Sequence, residues 1–105
     1  MPSFHRAAEH LLDNNASSIG ASAQLLKAMA NAKRLHILCL LAEQELSVTQ
    51  LNQRLDLSQS ALSQHLAILR QQALVTTRRD SQTIYYSLSS QTVKAVIQAL
   101  AETSE

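Results

Sequence analysis

Several residue types on which particular folds and chemistries depend are almost missing from this chain. It holds one cysteine, Cys39, so no disulfide can close within it, and such sparse use fits a reducing compartment. One glycine and one proline leave no glycine-rich phosphate loop, and they argue against a β-sandwich with its many turns. Aromatic residues make up only 3 % of a chain that is 46 % hydrophobic, so Leu and Ala dominate and the composition is rich in helix formers. No apolar run approaches the roughly 20 residues that span a bilayer. The segment Met1-Pro2-Ser3-Phe4-His5-Arg6 is followed by no apolar signal core. A soluble, cytoplasmic protein without membrane contact is expected. Asp and Glu are few and dispersed, with no paired carboxylates and no nucleophile beside a base, so an enzyme is disfavoured. At 105 residues the chain reads as one domain over 1–105 whose core is marginal, a size at which dimerisation helps. The net charge of +1 marks no general polyanion binder. Between Ser58 and Ser89, however, Arg70, Arg78 and Arg79 against Asp80 leave a local excess of +2, while Glu102 and Glu105 make the end of the chain acidic.

What is present centres on residues 58–72. Wound as a helix, this stretch puts Leu62, Leu66 and Leu69 on one narrow stripe and Gln59, Ser60, Ser63, Gln64, Ala67 and Arg70 on the opposite arc. An ordinary solvated face prefers Glu and Lys, and neither occurs there. Short hydroxyls, amides and a guanidinium suit a groove lined with hydrogen-bonding edges and phosphates; the bland alternative is a surface helix that happens to be polar. Ser58 is a fitting N-cap, and Leu57 with Leu62 has the spacing of a hydrophobic staple.

The remainder supplies a frame for that helix. Residues 4–29 are alanine-rich and helix-prone, with a possible interruption at Asn14-Asn15. Leu11, Leu12, Ile19, Ala23, Leu26 and Met29 form an intermittent stripe, and Gly20 permits close approach of another helix. So long a first helix reads either as a dimer contact or, before about Asn15, as a frayed end. Asn31 is the break, by a left-handed conformation or as a cap. A core helix over 32–42 follows, with Leu35, Leu38, Cys39 and Ala42 at core spacing and Ile37 and Leu41 widening the face, so that Cys39 is expected to be buried. Ser47-Val48-Thr49-Gln50 is a capping box stapled by Leu46 and Leu51 and opens a helix within 47–55. Two helices joined by the brief Asp56-Leu57 turn make a helix-turn-helix unit. Over 74–88 the pattern changes to β-branched and aromatic runs flanking Asp80-Ser81, a hairpin whose tip offers Arg78, Arg79, Ser81 and Gln82. Beside a helix-turn-helix such a hairpin is a wing lying along phosphates or in the minor groove. Ser89 is expected to cap a last helix over 89–102, with Leu88 and Val93 as its staple. There Val93, Val96, Ile97, Leu100 and Ala101 form a stripe that points to a partner subunit. The fold class is therefore mainly α with a small β-hairpin, a dimeric winged helix-turn-helix.

The segments Leu25–Asn31 with Lys33–Cys39, Leu57–Leu66 and Arg78–Leu88 together resemble the ArsR/SmtB family of winged-helix transcriptional regulators, and most of all its HlyU-like and thiol-type members of the BigR, SqrR and YgaV kind. The resemblance covers about Leu25 to Leu100. It implies a homodimer through the first and last helices, with the second helix of each motif in successive major grooves of double-stranded DNA. Two departures matter. Metal-sensing members carry a Cys-x-Cys-type motif where this chain has Ser47-Val48-Thr49-Gln50, or Asp and His ligands where it has Gln91-Thr92-Val93-Lys94, so neither metal nor cofactor is expected. Thiol-sensing members pair the equivalent of Cys39 with a second cysteine near the chain's end, where this one reads Ala101-Glu102-Thr103-Ser104-Glu105. Cys39 is thus either a small core residue or a lone redox or sulfide sensor. Ala73 stands where relatives often have glycine, and at positive φ it would be strained.

The roles expected on this basis are base-edge contacts from Gln59, Ser60, Ser63 and Gln64. Phosphate or minor-groove contacts are expected from Ser58, His65, Arg70, Arg78, Arg79 and Gln82. His65, at the edge of the core stripe, can equally serve inside the motif. A winged-helix module that docks a protein instead of DNA is the alternative function.

Overall fold

The computed structural model describes residues 4–13 and 15–104. The elements run α1 (Phe4–Asp13), α2 (Asn15–Met29), α3 (Ala32–Glu43), β1 (Leu46–Ser47), α4 (Val48–Arg54), α5 (Gln59–Gln71), β2 (Val75–Asp80), β3 (Thr83–Leu88) and α6 (Gln91–Thr103). Of the features read from sequence, the Asn14 half of the Asn14-Asn15 break, the Met1–Ser3 start and Glu105 lie outside the described residues.

Side-chain caps set most of the boundaries. Asn31 keeps an extended backbone, φ −156°, and its side chain accepts from Lys33 N and Arg34 N, so it breaks the chain as a cap and not by a left-handed turn. The capping box of α4 is complete: Ser47 Oγ accepts from Gln50 N at 3.1 Å, and Gln50 Oε1 accepts from Ser47 N at 2.9 Å. Ser58 caps α5 by accepting from Ala61 N at 3.1 Å. The last helix departs from expectation, because its cap is Ser90, which accepts from Val93 N at 3.1 Å. Ser89 instead ties back to the α5–β2 corner, donating its N–H to Leu74 O at 3.1 Å and its hydroxyl to Ala73 O at 3.4 Å. With Ser90 as cap, Leu88 and Val93 no longer have staple spacing.

The core gathers Ile37, Leu38 and Leu41 of α3, Leu51 of α4, Leu62, Leu66 and Leu69 of α5, Leu74, Tyr86 and Val93. On α3 the buried phase is rotated from the expected one. Ile37, Leu38 and Leu41 face inward, while Cys39 and Ala42 are exposed. Cys39 is therefore not a core residue of the described chain. The hairpin is joined by a third strand that the sequence did not announce: β1 pairs antiparallel with β3, giving the order β1-β3-β2. No helix is long and apolar enough to cross a membrane among the described residues.

Where α5 turns into the wing, Ala73 has φ +59°. Leu74 N donates to Leu69 O at 3.0 Å and Ala73 N to Arg70 O at 2.9 Å, the two bonds of a Schellman ending that places Ala73 at the left-handed position. An L side chain there is strained by on the order of 1 kcal/mol relative to glycine. Ala73→Gly is therefore expected to stabilise the protein by ~1 kcal/mol, read as a raised urea midpoint at unchanged m value. A lower midpoint would place the strain elsewhere.

Candidate nucleic-acid interface

The second helix of the motif is held by its leucines. Leu62, Leu66 and Leu69 are 0, 2 and 0 % exposed, while Gln59, Ser60, Ser63, Gln64, Ala67 and Arg70 all lie on the surface. The polar arc read from the sequence is thus presented outward. The turn before it is braced by Asn52 of α4, whose Nδ2 donates to Leu57 O at 3.5 Å. Gln59 and Ser63 of α5, Thr49 of α4, and Gln82 and Thr83 of the wing line one open hollow together with Val48 and Ile84, so the helix and the wing tip share one surface. Thr49 and its neighbour in an adjoining hollow, Gln53, were not singled out from sequence, where they read only as parts of a capped helix.

The two wing arginines part company because a strand alternates its side chains. Arg79 pairs with Ile84, on the face that carries the buried Tyr86. Arg78 pairs with Tyr85, on the opposite face together with Ser47. Arg79 is exposed at the tip. Arg78, expected there as a phosphate contact, turns its guanidinium onto Glu45, with Nε 3.0 and 2.9 Å from the two carboxylate oxygens and Nη2 2.8 Å from Oε1. Its guanidinium carbon also lies 4.6 Å from the Tyr85 ring centroid. The Arg78 hydrogen bond holds the Glu45 carboxyl below its ordinary value, outweighing desolvation, and Glu45 in turn raises the Arg78 guanidinium.

His65 is half-buried, and its polar contact is to α3, outside the helix-turn-helix pair. Its Nδ1 lies 3.4 Å from Arg34 Nη1. A guanidinium only donates, so this contact is a hydrogen bond when Nδ1 is the unprotonated acceptor. Arg34 also donates from Nε to Ala28 O at 2.6 Å and from Nη2 to Lys27 O at 3.4 Å, closing off carbonyls in the last turn of α2. Burial, then the charges of Arg34 and Lys33, push the His65 imidazole below its ordinary value. Arg34 thus links the end of α2 to α5, a role that nothing local in the sequence signals.

Among the described residues no three His, Cys, Asp or Glu side chains are placed to hold a metal ion.

Residues 31–77, which span the core helix, both helices of the motif and the start of the wing, match the family described as bacterial regulatory protein, arsR family. The transcriptional activator HlyU of Vibrio cholerae is 63 % identical over 76 residues, 72 % of this chain and 70 % of that protein. The chain belongs to the arsR family. Its members are transcriptional regulators and not enzymes. Solved structures of the same kind superimpose closely. Reduced HlyU from Vibrio cholerae matches with TM-score 0.80 at 53 % identity, covering 89 % of this chain and 98 % of that one. The transcriptional repressor BigR from Xylella fastidiosa matches with TM-score 0.80 at 32 % identity, covering 89 % and 95 %. These arsR-family structures share the winged-helix arrangement described above, and the chain is accordingly a DNA-binding regulator.

The His65 environment has a pH signature. The folded form disfavours the imidazolium, so between the folded value and the ordinary value of about 6.5 the unfolded chain takes up a proton that the folded chain refuses. This contribution to stability is complete above pH ~6.5 and is lost as pH falls below it. His65→Gln is expected to flatten the acid side of the stability–pH curve, measured by urea unfolding across pH 5 to 8. Parallel curves for the two proteins would rule the assignment out.

Proposed function

We propose that the chain acts in the cytoplasm as a homodimer that reads an imperfect inverted repeat in promoter DNA. The observation that carries this reading is the phase of α5, whose leucines are buried and whose amides and hydroxyls are all outside. Gln59, Ser60, Ser63 and Gln64 meet base edges in the major groove, a glutamine amide being able to pair with adenine through two hydrogen bonds. Ser58, Arg70, Arg79 and Gln82 meet phosphates or the minor groove. His65 and Arg78 are left out of this set, because His65 Nδ1 contacts Arg34 and the Nε and Nη2 donors of Arg78 are held by Glu45.

Support for the dimer comes from where the apolar surface lies. Leu12, Ile19, Leu26 and Leu100 are 64, 47, 53 and 45 % exposed, and they sit on α1, α2 and α6. Helices that carry such surface on a small domain fit a partner subunit. A protein-docking module without DNA would place acidic or large apolar residues on α5; its outward arc has no acidic residue, and Ala67 with the neighbouring Ile68 are its exposed apolar side chains.

Gln64→Ala is expected to cost about 1–3 kcal/mol on a selected site and much less on random duplex. Arg79→Ala should weaken both alike and flatten the plot of log affinity against log salt by about one unit per lost phosphate contact. The same titration should saturate at two chains per repeat. Equal losses from both substitutions on both duplexes would contradict the division of roles.

A second, redox-responsive reading has the exposure of Cys39 in its favour, since an oxidant or polysulfide can reach the thiol of the described chain. On this reading, modification of Cys39, followed by mass spectrometry, lowers DNA affinity in the same sample. Modification with unchanged affinity would leave the thiol without a regulatory role.

A further inference from the structure

Glu45 is in the loop between α3 and β1, far in sequence from everything it touches. The pairing of Leu46 with Tyr86 brings it across the outer face of the wing. There its carboxylate receives three contacts from Arg78, at 2.8 to 3.0 Å, and a fourth from Ser87 Oγ at 3.3 Å. Tyr85 flanks the guanidinium at 4.6 Å. The donor fork of arginine fits carboxylate and phosphate by the same geometry, so a group that fills the fork competes directly with a DNA phosphate.

We propose that Glu45 is a positioning residue that occupies Arg78 in place of phosphate, so that the wing approaches DNA through Arg79 and Gln82 without Arg78. The inference rests on the DNA-binding reading above. An exposed ion pair adds little to folding stability, and both partners here are substantially exposed, so the effect lies in the charge offered to DNA. Phosphate contacts supply the sequence-independent part of affinity. Withholding one cation per chain lowers attraction to every duplex while leaving the base-reading arc of α5 untouched. Affinity for selected and random DNA falls by the same factor, so the ratio between them is kept while the hold on every duplex loosens.

The test is a salt titration of the full chain on two probes: a random-sequence duplex, and a duplex that the unaltered protein has selected from a random pool. Glu45→Gln frees the fork, and the plot of log affinity against log salt is expected to steepen by about 0.9 per chain on both probes. At any one salt concentration the two probes should then gain affinity by a similar factor, as expected for an added contact that reads no sequence. The double variant Glu45→Gln/Arg78→Ala carries the same net charge as the unaltered pair and is expected to return to the original slope. A Glu45→Gln slope equal to the original would overturn the inference. So would a double variant about 0.9 per chain shallower than the original, which would mean that Arg78 already touches phosphate with Glu45 in place. If the unaltered chain retained neither probe at low salt, the DNA-binding reading itself would fall, a result distinct from binding with the wrong slopes.

Discussion

The burial of three leucines on α5 is the constraint from which the functional surface follows. Each of Leu62, Leu66 and Leu69 is almost wholly removed from water in the core shared with Ile37 and Leu38 of α3. Burial of a leucine side chain stabilises by roughly 1.5–3 kcal/mol, which is more than any single exposed contact on the other side of the helix can contribute. The apolar stripe therefore sets the rotation of α5 about its axis. Once that rotation is set, the outward arc has no freedom: Gln59, Ser60, Ser63 and Gln64 point away from the core whatever they bind.

The wing is oriented by a second constraint of the same kind. Tyr86 is buried and pairs with Leu46 of β1, so the short third strand pins the hairpin to the body through both a ladder and a core side chain. Period two along β2 then assigns neighbouring arginines to opposite faces. Composition counts Arg78 and Arg79 as equals, but the sheet separates them, Arg79 onto the face of Ile84 and Tyr86 and Arg78 onto Glu45. The electrostatics of the wing are thus a consequence of sheet register, and the local excess of positive charge in the sequence overstates what the wing tip offers.

How much was legible beforehand depends on the range of the interaction. The capping box at Ser47 and Gln50, the Ser58 cap and the leucine phase of α5 are relations between residues a few positions apart, and all of them could be read directly. Sequence alone starts α6 one serine early because Ser89 and Ser90 are alike locally, and only the tie from Ser89 to Leu74 and Ala73 distinguishes them. Periodicity puts Cys39 on the core face because α3 is apolar nearly all round, and it does not choose between the phase of Ile37, Leu38 and Leu41 and that of Leu35, Cys39 and Ala42. Strand β1, the Glu45–Arg78 pair and the Arg34–His65 contact join positions tens of residues apart. No local pattern encodes such pairs. Arg34 and Glu45 therefore read as unremarkable surface charges until the fold is known.

The distribution of surface chemistry over the helices bears on why one copy would be an incomplete reader. Apart from Ile68, the large apolar side chains exposed among the described residues lie on α1, α2 and α6, whereas the exposed arc of α5 beside the wing is polar. The two kinds of surface belong to different elements, so covering the first need not obstruct the second. In a chain of net charge +1, the wing, with Arg78 tied up and Asp80 next to Arg79, offers few cations with which to bind phosphates. Since the non-specific term scales with the number of phosphates neutralised, each cation withheld weakens the hold of one copy on any duplex. Linking two such readers makes the second engagement intramolecular, which multiplies affinity only where both half-sites are present at the right spacing. In the proposed homodimer, weak charge per copy and apolar helices away from the polar arc are parts of one design: discrimination comes from requiring two polar helices at once.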